Sequence, residues 1–225
     1  MFGREQRLIT SARDLAARSW YGYGRWEAPY WFIGMEPGGA DEDASYEAWT
    51  DLGGGELIDC RAHHLRSDDP KWRRWHTGPR PPTQPTWRKL IQLFLSFEGT
   101  PTDIDAVGRF QREDWGSENG ETALIEVSAL HSPALGVNVD RAAFREGRIA
   151  TIRERMGQYH PKFVVFYGLG YRAIYEHIAG SPFNEAGYTT SGSTLCVLVE
   201  HPAARPGKSA EWWIEKGLEI RSRLG

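Results

Sequence analysis

Four short segments of this chain are apolar at nearly every position, and each stops at a polar or glycine-containing turn. They are Pro29 to Ile33, Thr122 to Val127, Phe163 to Tyr167 and Thr194 to Val199. Continuous rather than alternating apolarity predicts strands covered on both faces, as in a parallel sheet. Between them the spacing becomes helical. Residues 4 to 19 carry Leu8, Ile9, Ala12, Leu15 and Ala16 at such intervals. Thr86 is placed to cap a helix running to about Phe97, with Leu90, Ile91, Phe94 and Leu95 inward. Arg141 to Tyr159 sets Ile149, Ile152 and Met156 on one stripe, Tyr171 to Ala179 follows the third strand, and Ser209 to Leu224 carries Trp212, Trp213 and Ile220. The predicted architecture is α/β in three layers: a four-stranded parallel sheet with helices on both faces. No repeat or Ser/Gly-rich linker divides residues 1–225, which read as a single domain. The stretches 36–85 and 99–120 read as loops longer than compact domains carry without function.

Polar residues cluster where the predicted strands end. Gly34-Met35-Glu36-Pro37-Gly38-Gly39 follows the first, Glu126 and Ser128 close the second, Gly168-Leu169-Gly170 follows the third, and Glu200-His201-Pro202 stops the fourth. Ligands of open parallel sheets bind at the carboxyl ends of the strands, so these distant residues are expected to converge on one cleft. Proline and glycine bend the backbone sharply around Glu36. Taken singly, each residue also has a plainer reading. Glu36 fits a solvated turn, His201 a strand-end cap, and Gly168 to Gly170 a packing turn.

Composition and charge narrow the setting. The chain has 225 residues, 40% hydrophobic, enough for one domain with a sizeable core. No charged-then-apolar leader opens it and no apolar run approaches bilayer length, which points to a cytoplasmic protein without a membrane partner. Two cysteines, Cys60 and Cys196, exclude a disulfide framework and a four-thiolate cluster. The net charge of −3 argues against a strongly basic nucleic-acid binder, but the distribution is uneven. Residues 41–59 hold seven acids and no Lys or Arg, whereas residues 61–89 hold eight Lys or Arg against Asp68 and Asp69. The basic block also carries His63, His64, His76, Trp72, Trp75 and Trp87. Basic and aromatic side chains together suit phosphates and bases; a solvated loop over tucked-in tryptophans is the alternative. Cys60 and the three histidines match no closed four-ligand zinc pattern, so no metal and no cofactor is expected. Asp41, Glu42 and Asp43 read as a solvated acidic turn or as a second carboxylate beside Glu36.

At these residues the chain resembles a family. Gly34-Met35-Glu36-Pro37-Gly38 is similar to motif A of the uracil-DNA glycosylase superfamily, and His201-Pro202-Ala203-Ala204 is similar to its motif B, most of all in the iron–sulfur branch. Val164 to Gly170 resembles the family's third strand and turn, and Gln84-Pro85-Thr86-Trp87 its proline-rich DNA-pinching loop. The similarity runs in order from about residue 29 onward. With two cysteines instead of four, the cluster of that branch is excluded.

The resemblance implies a monofunctional glycosylase acting on single- or double-stranded DNA in base-excision repair. Breaking an N-glycosidic bond builds positive charge on the sugar and negative charge on the base. Glu36 then faces the sugar cation or orients a water, and His201, as a neutral imidazole, donates to the departing base. Gly34, Met35, Pro37 and Gly38 line the base site, with Tyr46 or Trp49 as its aromatic floor; both aromatics also fit a core. Gln84, Pro85, Thr86, Gly168, Pro202, Ala203, Arg205 and Lys208 are the expected DNA contacts. Glu126 stands where the family reads the flipped base with an asparagine. A carboxylate offers acceptors only, so the expected base carries adjacent donors, as guanine-like or amino-bearing damaged bases do; Ser128 is the alternative reader. Two other functions fit the same residues: a non-catalytic nucleic-acid-binding relative, and a hydrolase or binder of nucleosides or nucleotides.

Overall fold

The computed structural model describes residues 11–38, 43–67, 69–131 and 141–225, without the side chains of 141–143. Leu8, Ile9, Gly39, Asp41, Glu42 and Asp68, named above, lie outside the described residues. The strands are β1 (Gly22–Tyr23), β2 (Tyr30–Gly34), β3 (Leu57–Ile58), β4 (Thr122–Glu126), β5 (Phe163–Tyr167), β6 (Tyr188–Ser191) and β7 (Thr194–Val199). The helices are α1 (Ala12–Ser19), α2 (Asp43–Asp51), α3 (Cys60–Arg66), α4 (Pro70–Arg73), α5 (Pro85–Glu98), α6 (Ile104–Glu113), α7 (Arg141–Tyr159), α8 (Arg172–Ala179) and α9 (Ala210–Leu224), with a 3-10 turn at Leu169–Tyr171.

The strands form one mixed sheet in the order β3-β1-β4-β2-β5-β7-β6. Its centre, β4-β2-β5-β7, is parallel throughout and consists of the four expected strands. The expected four-stranded sheet is therefore too small. β1 adds antiparallel to β4, β3 parallel to β1, and β6 antiparallel to β7. Two of these additions are only two residues long, too short for a pattern, and β6 is the polar Tyr-Thr-Thr-Ser.

All five residues of β2 and of β5 are buried, as continuous apolarity requires. Alternate side chains feed two cores. Trp31, Ile33, Val164 and Phe166 pack with Ile149, Ile152 and Met156 of α7 and with Tyr175 and Ile178 of α8. Tyr30, Phe32, Phe163 and Val165 pack with Leu90, Ile91 and Phe94 of α5, Val107 of α6, and Trp213 and Ile220 of α9. A third core joins α1 and α2 through Ala16, Trp20, Tyr46 and Trp49.

The two predicted loops hold helices. Asp59, Asp69 and Asp103 cap α3, α4 and α6 through their carboxylates, and Pro70 sits at the first turn of α4. Thr86 does not cap α5. Gln84 does, accepting from the Trp87 N–H at 2.7 Å, and Pro85 occupies the first turn, where its missing N–H costs nothing.

One buried cation ties the helical layer to the sheet. Arg148 of α7 is 2% exposed. Its guanidinium donates to the carbonyls of Val127 (2.7 Å), Ala17 (3.2 Å), Trp20 (2.7 Å) and Glu126 (2.9 Å), and it lies over the Tyr21 ring. Burial lowers its pKa to about 10, still charged at neutral pH. Removing it strands four buried carbonyls. Arg148→Met is expected to cost about 3 kcal/mol or more in denaturant unfolding, whereas Arg153→Met, on the exposed face of the same helix, is expected to cost under about 1 kcal/mol.

Candidate active site

The carboxyl ends of β2, β4, β5 and β7 open into one cleft of about 780 Å³, within the range of small-ligand sites. Met35, Glu36, Pro37 and Gly38 enter it after β2, Glu126 at the end of β4, Tyr167 and Gly168 at the end of β5, and Glu200, His201 and Ala203 after β7. The segments after the strands are stitched together by backbone bonds from Val127 N–H to Gly34 O (3.0 Å), Ser128 N–H to Met35 O (2.8 Å) and Gly168 N–H to Val199 O (2.9 Å). Gly168 holds φ at 115°, a conformation that favours glycine, and so turns the chain along the rim. Gln84, Thr86 and Trp87 form the opposing lip at the start of α5.

Glu126 is the chemically unusual group of this cleft. The Tyr167 hydroxyl donates to its Oε1 at 2.8 Å. Its Oε2 is shut off from solvent and has no hydrogen-bond partner among the described residues, although the residue as a whole is partly exposed. Burial raises the carboxyl pKa from 4.5 to about 8, against the opposing pull of the Tyr167 hydrogen bond and the Arg148 charge. Burial wins because an ionised carboxylate loses more hydration here than one hydroxyl and the Arg148 guanidinium return. Burial of this kind favours the protonated carboxyl, which offers one donor and one acceptor where the carboxylate expected from the sequence offers acceptors only. Gly34 makes the arrangement possible: a Cβ there would fall on the Tyr167 hydroxyl and on Glu126 Oε2.

His201 presents a defined face. Its Nδ1 accepts the Ala203 N–H at 3.1 Å, which leaves the ring proton on Nε2. Crowding by the protein and the Lys89 charge depress its pKa, so the ring is neutral at pH 7. Lys89 also donates to Pro202 O at 2.7 Å, fixing the His201 loop to α5. The Tyr167 ring lies 5.7 Å from that of His201, so Tyr167 contacts both His201 and Glu126.

The aromatic wall differs from expectation. Tyr46 and Trp49 are 1% and 3% exposed, belong to the third core and do not line the cleft. The wall includes instead Trp20, Tyr23, Trp72, Trp87, Trp115 and Tyr167. Trp115 is 2% exposed and its Nε1 has no hydrogen-bond partner among the described residues. Ser128 is buried outside the wall, its hydroxyl accepting from Leu130 N–H at 3.2 Å, so it does not replace Glu126 as a reader. Gly34 and Pro202 lie behind the wall, Pro85 on the exposed lip, and Arg205 and Lys208 on the exposed loop after His201. Sequence reading overlooked Gln111. This buried amide accepts from Gln84 N–H and donates to the carbonyls of Trp75 and Pro82, holding the proline-rich lip against α6; a lone glutamine on an amphipathic helix carries no signal of such a role.

The raised pKa of Glu126 has a consequence for stability. Folded, the carboxyl keeps its proton to about pH 8; unfolded, it releases it near 4.5. The associated stability is fully present below pH 4.5 and is lost as pH rises towards 8. Glu126→Gln removes this titration. Denaturant unfolding across that window is expected to show the variant gaining on wild type by up to about 1.4 kcal/mol per pH unit; a pH-independent difference contradicts it.

A scan against protein-family models finds no match for this chain, and neither does a search of curated proteins.

Proposed function

We propose that this protein is a uracil-DNA glycosylase-like enzyme that hydrolyses the N-glycosidic bond of a flipped uracil or related lactam base. The observation that carries this reading is the meeting, in one cleft, of Glu36, a neutral His201 whose donor nitrogen is free of the backbone, and a Glu126 whose burial favours the protonated form. The parallel order of the four central strands and the positions of their terminal motifs support the same reading.

Each group answers a need of the reaction. The base leaves as an anion, and His201 Nε2–H donates to the oxygen on which that charge grows. The sugar becomes cationic, and Glu36 stabilises it or directs the attacking water. Preorganised groups of this kind contribute about 3–4 kcal/mol each where water is excluded. Reading of the base edge by the Glu126 acid requires its side chain to turn Oε2, which is shut off from solvent here, towards the cleft; its O–H then donates to a ring carbonyl while its carbonyl oxygen accepts a ring N–H. This edge is that of uracil or hypoxanthine, so the acid form removes the reason to prefer amino-bearing bases. The tryptophan and tyrosine faces supply stacking. Outside the cleft, Arg61, Arg73, Arg74, Arg80 and Arg88 are exposed on the segments that build its lip, where they would meet phosphates.

Abasic sites revealed by alkali on oligonucleotides containing uracil, hypoxanthine, xanthine or an etheno base test the reading. Uracil release by wild type is expected, with Glu36→Gln and His201→Ala each slower by about 10²–10³-fold while DNA binding persists. Abasic sites from none of these lesions would overturn enzymatic activity. Glu126→Gln, which keeps one donor and one acceptor, is expected to retain uracil release, and Glu126→Leu to lose it. In wild type the rate should fall as pH rises through about 8, where Glu126 loses its donor, and Glu126→Gln should lack that fall.

A further inference from the structure

Behind the lip of the cleft, α3 and the turn after α4 bring together three side chains that the reaction does not use. Cys60 opens α3, and His64 lies four residues on, so both project from one face of the helix. His76 follows α4. One ligating atom from each lies within 4.8 Å of the other two, and all three residues are buried.

A hydrogen-bond relay fixes the tautomer of His64. The Ser45 carbonyl can only accept, so His63 donates to it through Nε2–H at 2.9 Å. His63 Nδ1 is then an acceptor and takes the Tyr23 O–H at 2.9 Å. The Tyr23 oxygen accepts in turn from His64 Nε2–H at 3.3 Å. This leaves the His64 Nδ1 lone pair directed at His76, whose Nε2 is 2.9 Å away. The other ring nitrogen of His76, Nδ1, is buried with no hydrogen-bond partner among the described residues. A histidine ligand whose far nitrogen donates to a fixed acceptor is the usual outer-shell arrangement of a metal site.

We propose that Cys60, His64 and His76 form a zinc site. Two imidazoles and a thiolate are a zinc donor set, with the fourth position left to water. Zinc–nitrogen bonds of about 2.0–2.1 Å let two nitrogens 2.9 Å apart share one ion, and the sulfur closes in by about an ångström to reach its own bond length near 2.3 Å. On loading, the Cys60 thiol releases its proton to solvent and binds as thiolate, and the His76 proton moves from Nε2 to Nδ1, freeing Nε2 for the metal. No redox change is involved. The site would join α3, the turn after α4 and, through Tyr23, strand β1. It also stands directly behind the cleft: the His64 ring stacks on Trp87 at 5.4 Å with an interplanar angle of 7° and touches Trp72 at 4.9 Å. Zinc would therefore hold two walls of the cleft in place, whatever ligand the cleft takes.

The full-length chain, stripped with chelator and reloaded, tests this without an activity assay. Metal analysis after gel filtration is expected to find one zinc per chain, and cobalt(II) in its place to give a thiolate-to-metal charge-transfer band. Zinc is expected to raise the melting temperature and to protect Cys60 from thiol reagents while leaving the other buried thiol, Cys196, unaffected. Cys60→Ser should abolish the band, and His76→Ala should weaken binding at least tenfold. His63→Ala, altering the relay but no ligand, should retain the one-to-one stoichiometry. Circular dichroism separates loss of metal from loss of fold, and thiol protection in wild type requires no variant. Failure to bind zinc, or binding undisturbed by both Cys60→Ser and His76→Ala, overturns the site.

Discussion

Tyr167 donates to Glu126 across the bare Cα of Gly34, and the cleft is built around that contact. It joins the ends of β5, β4 and β2, three adjacent strands of the parallel centre. Any side chain at position 34 would separate the pair. The contact also sets the chemistry. Tyr167 favours the ionised carboxyl, yet burial of Glu126 outweighs it and keeps the proton on. An uncharged carboxyl here would avoid the repulsion that a carboxylate exerts on ring carbonyls.

The rest of the structure supports this centre from behind. Arg148 binds the carbonyls of Glu126 and Val127 and anchors them to Trp20 and Ala17, so α7 fixes the end of β4 to α1. Lys89 and Gln111 do the same for the two sides of the mouth, one holding the His201 loop and the other the proline-rich lip. The polar chain from Ser45 through His63, Tyr23 and His64 to His76 underlies the tryptophan wall. The cleft is thus rigid through buried polar contacts as well as through its apolar core. This is consistent with a site in which preorganised groups, rather than mobile ones, carry the chemistry.

What was legible in the sequence follows the strength of each physical signal. β2, β4, β5 and β7 announced themselves because a strand covered on both faces must be apolar at every position, and their polar endings foretold where Glu36, Glu126 and His201 would meet. β1 and β3 are too short for any periodicity. The helices α3, α4 and α6 lay under charged sequence, although Asp59, Asp69 and Asp103 marked their starts. The aromatic floor was misplaced because Tyr46 and Trp115 look alike in sequence; tertiary packing alone sends one to a satellite core and the other to the cleft. The protonation of Glu126 was equally out of reach, since it depends on how deeply neighbouring elements bury one oxygen. Cys60, His64 and His76 fit no standard ligand spacing, because their proximity is made by the fold of α3 against α4.

The proposed reaction depends on Glu126 keeping its proton at neutral pH. Carboxyl carbon NMR of glutamate-labelled protein, with Glu126→Gln assigning the resonance, measures its titration directly. A protonated carboxyl at pH 7 and a midpoint near pH 8 are expected. A Glu126 resonance already ionised at neutral pH, with a midpoint in the ordinary glutamate range, would contradict the proposal.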